Sequence, residues 1–135
     1  MPISEIEGNK LDTFNYESYT VAVGDTIYTR QHYIVFAGLK EKASNRFYTK
    51  MKDDIAIVPD LQIRKLGVDS VWRAEPVFVI RGNETFGVAD EAKDLGLHFR
   101  FKTVKAEERK IEIEIAESEP RREYIVLQEI GRAHV

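Results

Sequence analysis

An antiparallel all-β domain, a small barrel or sandwich with an OB-like barrel among the options, is what this sequence predicts, on three observations. The stretch from Leu97 to Ile115 alternates strictly between apolar and polar residues. Turn signals recur at about ten-residue intervals, the spacing of a small sandwich or barrel, which gives seven or eight strands. Only one segment, Asp90 to Gly96, reads as a helical turn.

The alternation is the strongest of the three. Leu97, Phe99 and Phe101 point one way and His98, Arg100 and Lys102 the other; Ile111, Ile113 and Ile115 then alternate with Lys110, Glu112 and Glu114. A period of two hides one face of each strand and wets the other. A hairpin folded about Glu107 sets Arg100 opposite Glu114 and Lys102 opposite Glu112. Such exposed cross-strand pairs are worth about 0.2–1 kcal/mol each, enough to favour a register.

The remaining elements follow in chain order. Residues 1–17 carry no sustained period and read as a loose N-terminal arm, with room for a short strand near Phe14 and Tyr16. Residues 18–130 form a single β domain. Within it, Val21–Val23, a turn at Gly24-Asp25 and a strand from Ile27 through Ala37 come first, the last with two apolar faces that suit a central position. Lys40–Asp54 is a charged connection with its turn at Ser44-Asn45 and an aromatic island at Phe47-Tyr48. Ile55–Leu66 alternates again (Ile55, Ile57, then Leu61, Ile63), interrupted by Pro59, which removes a ladder donor and so marks an edge, a bulge or a break. Gly67 and Asp69 turn the chain into Val71–Ile80, where Pro76 plays a similar part, and Arg81-Gly82-Asn83-Glu84 is a tight-turn signal before Phe86–Val88. Asp90 is placed to cap a helical turn that Gly96 ends in the left-handed conformation. Tyr124–Ile130 reads as the last strand. Gly131–Val135 continue none of its pattern and read as a tail, either vector-derived or a frayed natural end.

A chain of 135 residues with 43% apolar and 10% aromatic composition is long enough for one packed domain. The net charge of −3, with both signs interspersed, argues against nucleic acid as a partner. The absence of cysteine removes disulfides, thiolate metal sites and cysteine nucleophiles, without excluding an oxidising compartment. No apolar run approaches the ~18–20 residues that span a bilayer, nor is there a signal-peptide core. The chain by itself reads as soluble, which leaves open that it is part of a membrane protein.

No catalytic constellation emerges. His32 starts a strand, His98 sits on the wet face of the hairpin and His134 lies in the tail, with no two at metal-ligand spacing. His32 and His98 are the candidate cofactor ligands, since one exposed imidazole can be an axial ligand to haem. Asp53-Asp54, Glu107-Glu108 and Glu117/Glu119 fall in polar connections, where water holds carboxylates near their ordinary pKa. Ser18, Ser44, Ser70 and Ser118 occupy turns, and neither a phosphate-binding glycine loop nor a nucleophile elbow is present. The binding-like features are softer. Tyr28, Arg30 and His32 alternate along a strand, and Trp72-Arg73 adds an aromatic beside a cation. An aromatic-plus-basic sheet face serves OB-type folds for base stacking and could equally take a porphyrin or a peptide. Tyr28, Arg30, Trp72 and Arg73 are therefore the candidate partner-binding residues.

The order of the segments Val23-Gly24-Asp25-Thr26-Ile27-Tyr28, Ile34-Val35-Phe36-Ala37-Gly38-Leu39, Ala74-Glu75-Pro76-Val77-Phe78-Val79-Ile80-Arg81-Gly82-Asn83, Asp94-Leu95-Gly96-Leu97-His98-Phe99-Arg100-Phe101 and Tyr124-Ile125-Val126-Leu127 resembles the soluble region near the C-terminus of CcmF-type cytochrome c assembly proteins, in their Bacteroidetes form. The similarity covers roughly Val21 to Ile130. It implies a periplasmic β domain of an inner-membrane haem-ligation protein, with the parent's membrane core, a haem chaperone and apocytochrome c as partners. Haem belongs to the parent; the tryptophan-rich segment and liganding histidines of that family lie in its membrane core and adjoining loops and have no counterpart here. The resemblance transfers setting, and no catalytic residue. The expected function is non-catalytic positioning, with Lys40–Asp54 and Gly82–Gly96 held against those partners. The rival is a self-contained β module for oligosaccharide or single-stranded nucleic acid, and a small hydrolase or isomerase would need a buried carboxylate or histidine in a pocket.

Overall fold

A computed structural model describes residues 14–118 of the chain; the expectations for residues 1–13, for the strand at 124–130 and for the tail at 131–135 lie outside the described residues. The fold is all-β, in two antiparallel sheets curled into a half-barrel. Ten strands occur among the described residues: β1 (Glu17–Val21), β2 (Thr26–Tyr28), β3 (His32–Lys40), β4 (Ile55–Lys65), β5 (Val71–Ala74), β6 (Val77–Arg81), β7 (Glu84–Val88), β8 (Asp90–Ala92), β9 (Leu97–Lys105) and β10 (Lys110–Glu117). The first sheet runs β1-β10-β9-β8. The second runs β2-β3-β4-β6-β7, with β5 also paired to β4. No helix among the described residues is long and apolar enough to cross a membrane.

The alternating hairpin forms as its sequence dictates. Leu97, Phe99, Phe101, Ile111, Ile113 and Ile115 are all buried, and Arg100 faces Glu114 in the ladder. The register shifts between Glu112 and Ile113, which sets Thr103, instead of Lys102, opposite Glu112. Lys102 still lies 3.8 Å from Glu112 and 3.9 Å from Glu114.

The extra strands arise where single segments divide. The stretch expected as one strand from Ile27 to Ala37 is cut at residues 29–31 into β2 and β3. Asp90 caps no helix: it opens β8, and its carboxylate accepts the Glu75 N–H at 2.7 Å. The 3-10 turn Lys93–Leu95 has no side-chain cap, though Gly96 does end it at φ +71°. A second 3-10 turn, Ala106–Glu108, joins β9 to β10.

The strand expected over Val71–Ile80 breaks at Glu75-Pro76 into β5 and β6. Both halves pair with β4, Leu61 opposite Ala74 and Ile57 opposite Phe78, so the register is unchanged across the break. That register brings Pro59 opposite Pro76. Neither proline can donate to the ladder, so the two gaps coincide and one interruption serves both strands. Both prolines are fully buried.

Alternation sends one face of the second sheet inward. Ile34, Phe36, Leu61, Ile63 and Phe78 meet the apolar face of the hairpin in the main core. On the other face, Val58, Val77 and Val79 form a smaller cluster covered by Ala43 and Tyr48 from the 41–54 connection. Strand β7 crosses close over β9. A Cβ on Gly87 would stand 2.2 Å from the Phe101 carbonyl oxygen, which belongs to backbone and cannot swing aside. Gly87→Ala is therefore expected to cost about 3 kcal/mol or more in urea denaturation. A midpoint equal to the wild type would show that the two sheets can separate freely at this crossing.

Candidate functional site

The two candidate histidines lie in different settings. His32 is buried at the start of β3, and its Nδ1–H donates to Glu117 at 2.7 Å. Glu117 also accepts from the Thr29 hydroxyl at 3.0 Å and from the Arg30 N–H at 2.9 Å, clamping the end of β10 to the β2–β3 turn. His98 is half-buried. It stacks on Phe14 at 3.8 Å between ring centroids and has Glu91 at 3.7 Å. Burial moves its pKa below the ordinary imidazole value, against the opposing pull of Glu91. Among the described residues no group of three or more acidic or imidazole side chains converges as a metal site.

Tyr28, Arg30 and His32 do not share a strand face. Tyr28 ends β2, Arg30 lies in the turn and His32 opens β3. The structure assembles a different face. Reading across β2, β3, β4 and β5, one row is Tyr28, Tyr33, Arg64 and Val71, and the next is Thr26, Val35, Gln62 and Arg73. The row between them, Ile27, Ile34, Ile63 and Trp72, turns into the core. Tyr28 and Arg73 therefore belong to one outward face, and Trp72 packs on the opposite side. Tyr28 is 74% exposed, and its ring lies 6.3 Å from that of Tyr33. Tyr33, Gln62 and Arg64 complete this face; the alternation of β3 and β4 pointed them outward, but only the register set them beside Tyr28 and Arg73.

At the border of this open face the chain forms a cleft of about 690 Å³. Its walls are the 40–46 segment, β5, and the run from Asp90 to Asp94. A buried polar corner fixes them. Glu75 accepts from Lys40 at 2.6 Å, from the Ser44 hydroxyl at 3.0 Å and from the Ser44 N–H. Asn45 donates to the Glu75 carbonyl at 2.6 Å and to the Ala89 carbonyl at 3.1 Å. Burial pushes the Glu75 carboxyl up, but the Lys40 ammonium and the two Ser44 donors outweigh it and hold the pKa below the ordinary value. On the rim, Arg46 pairs with Glu91 and Arg73 with Asp60, each at 3.6 Å. Ser44-Asn45, expected as an ordinary turn, is thus the anchor of the loop. The Glu75 and Ala89 groups that hold it lie 30 residues or more away, and nothing local signals them.

Two carboxylates expected in solvated connections are instead engaged by the fold. One is the half-buried Glu117. The other, Asp54, is buried and accepts a two-point contact from Arg81 at 2.8 and 2.9 Å, the Tyr48 hydroxyl at 2.8 Å and the Met51 N–H at 2.9 Å. The Arg81 guanidinium outweighs burial and holds the Asp54 pKa well below the usual carboxylate range. This ties the end of the 41–54 connection to β6. Every one of these carboxylates has its oxygens engaged by the fold, which is structural service.

No protein-family model, no curated protein and no solved structure matches this chain.

A pKa depressed in the folded state means stability that is complete above the unfolded value and is lost as pH falls toward the folded one. Asp54, Glu75 and Glu117 are all depressed. The urea midpoint should therefore fall as pH drops below about 4–5, the ordinary carboxylate range. Asp54→Asn should start less stable at pH 7 and lose less on acidification. An acid slope identical to the wild type would remove Asp54 from this account.

Proposed function

We propose that this chain is a non-catalytic docking domain whose setting is the one its segment order implies. In that reading it is the periplasmic β domain of a CcmF-type cytochrome c assembly protein and positions haem chaperone and apocytochrome c beside the parent's membrane core. The observation that supports docking is the cleft, whose three walls are locked to one buried corner before any partner arrives. Preorganisation of this kind lowers the ordering cost that a docking surface otherwise pays on binding. The cleft brings together parts of the two segments expected to meet partners, Lys40–Asp54 and Gly82–Gly96.

This reading leaves haem chemistry to the parent. The His32 side chain is buried, and ligation through His98 would have to work around the Phe14 ring stacked on it. An oligosaccharide or single-stranded nucleic-acid module would place its aromatics together on an open face; here Trp72 turns inward and leaves Tyr28 with Tyr33.

Calorimetric titration of the purified chain with apocytochrome c tests the reading. Saturable micromolar binding is expected, weakened about tenfold or more when Arg46→Glu and Lys93→Glu are combined on the exposed cleft rim; tenfold corresponds to about 1.4 kcal/mol. No heat of binding, or binding indifferent to both rim charges, would sink it.

A further inference from the structure

We infer that the end of the half-barrel carrying the β4–β5 turn is a membrane-contact surface, with Leu66 entering the boundary layer of a lipid bilayer and Arg64 and Lys65 at the level of its phosphates. The inference rests on the membrane setting of the docking reading and goes beyond it in naming the end, the inserting residue and the ligand.

The tip is built by one turn. Strand β4 ends at Lys65, and the Val68 N–H donates back to the Lys65 carbonyl at 3.1 Å. Gly67 holds φ +80°, which the third position of a type II turn requires and glycine supplies without strain. Nothing in this geometry calls for leucine at the second position, where such turns favour proline. Leu66 stands there 81% exposed, more than any other large apolar side chain among the described residues. Val68 and Val71 flank it and are exposed as well.

The row next to the turn carries side chains that suit a lipid interface. Tyr28, Tyr33, Arg64 and Val71 lie side by side across β2, β3, β4 and β5. Tyrosine concentrates at membrane–water boundaries, where its ring sits in apolar surroundings and its hydroxyl in water, and Tyr28 is almost fully outside the fold. Neither Arg64 nor Lys65 has an ion pair or hydrogen bond among the described residues. Their long stems can lie along apolar surface while the charge stays among headgroups. Glu17, Asp69 and Asp94 are exposed at the same end and offset part of this charge, so the apolar tip leads the contact and the two cations support it. A protein interface is depleted of lysine at its centre, whereas interfacial lipid contacts combine leucine with lysine and arginine.

The path of the chain turns the same end toward a membrane. Phe14, the first described residue, stacks on His98, and Ser118, the last, donates to the Gly96 carbonyl through its N–H at 2.8 Å and its hydroxyl at 3.0 Å. Gly96 and His98 flank the first residue of β9, which lies opposite Glu117. Glu117 fastens this point to the β2–β3 turn, and His32 beside that turn pairs with Lys65. Entry, exit and the Leu66 tip therefore share one end, while the 41–54 connection begins at the other, beyond Lys40 of β3. A domain whose two flanks lead to a membrane core presents this end to the lipid.

The chain has no cysteine, so a single introduced thiol carries a label at one position only. The test attaches an environment-sensitive fluorophore to Leu66→Cys and, as the control, to Met51→Cys on the exposed far connection. Each full chain is titrated with phosphatidylethanolamine–phosphatidylglycerol vesicles. The label at Leu66→Cys should shift saturably to the blue, and the label at Met51→Cys should stay where it is. One acyl chain binds a bilayer with an association constant of about 10⁴ M⁻¹, so this smaller tip should half-saturate at about 1 mM lipid. A short tether supplies an effective concentration in that range. In vesicle flotation of the unlabelled chain, Leu66→Asp should weaken binding about tenfold or more, and Lys65→Glu about fivefold. Urea midpoints equal to the wild type show that both variants are folded. Four results would overturn the inference: no shift at Leu66→Cys, an equal shift at Met51→Cys, flotation unmoved by Leu66→Asp, or a blue shift at Leu66→Cys that grows with protein concentration without lipid, because a second copy covers the tip. Failure here with apocytochrome c binding retained would leave the docking reading standing; the reverse pattern would leave the membrane contact and remove that partner.

Discussion

Two prolines facing each other across a ladder govern much of this structure. Pro59 and Pro76 fall opposite one another in a register that does not change on either side of them. A proline inside a sheet leaves a missing donor, and placing two at one rung confines the damage to that rung. The consequence is a corner at Glu75, where the backbone has left the ladder and must find other partners. The Asp90 carboxylate takes the Glu75 N–H and Asn45 takes its carbonyl, while its side chain gathers Lys40 and Ser44. A buried amide or carboxylate without such partners would cost several kcal/mol, so the corner forms with its loops attached or not at all.

The proposed docking cleft lies around that corner. The 41–54 connection is held there at one end and by the Asp54–Arg81 contact at the other, and it covers the smaller apolar cluster of the second sheet. The half of that sheet beyond its reach stays open, with Tyr28, Tyr33, Arg64 and Arg73 outward. The cleft marks the boundary. Interrupting a ladder thus creates a fixed loop and an exposed face side by side.

How much of this the sequence discloses depends on how far apart the cooperating residues lie. The β9–β10 hairpin was legible because period-two alternation is local, and so was the Arg100–Glu114 pair. The bulge that displaced Lys102 left no local mark. Both prolines signalled a missing ladder donor, but not that the two gaps coincide, which needs the β4 register. Asp90 followed by Gly96 matched the pattern of a capped turn; the Glu75 N–H, 15 residues away, claimed the carboxylate instead. Asp54 and Glu117 read as solvated because Arg81 and His32 are 27 and 85 residues distant. For the candidate site, Tyr28 and Arg73 fell on the open face, Trp72 on the other side of the same strand, and Tyr33 and Arg64 joined them through pairing alone.

The claim that the Glu75 corner organises this region is tested most directly by native-state amide exchange on Glu75→Ala. The account predicts that the Ser44 and Tyr48 amides lose protection while Ile111, Ile113 and Ile115 keep theirs, because the hairpin core does not depend on the corner. A uniform loss across both sheets, or no change at Ser44 and Tyr48, would contradict it.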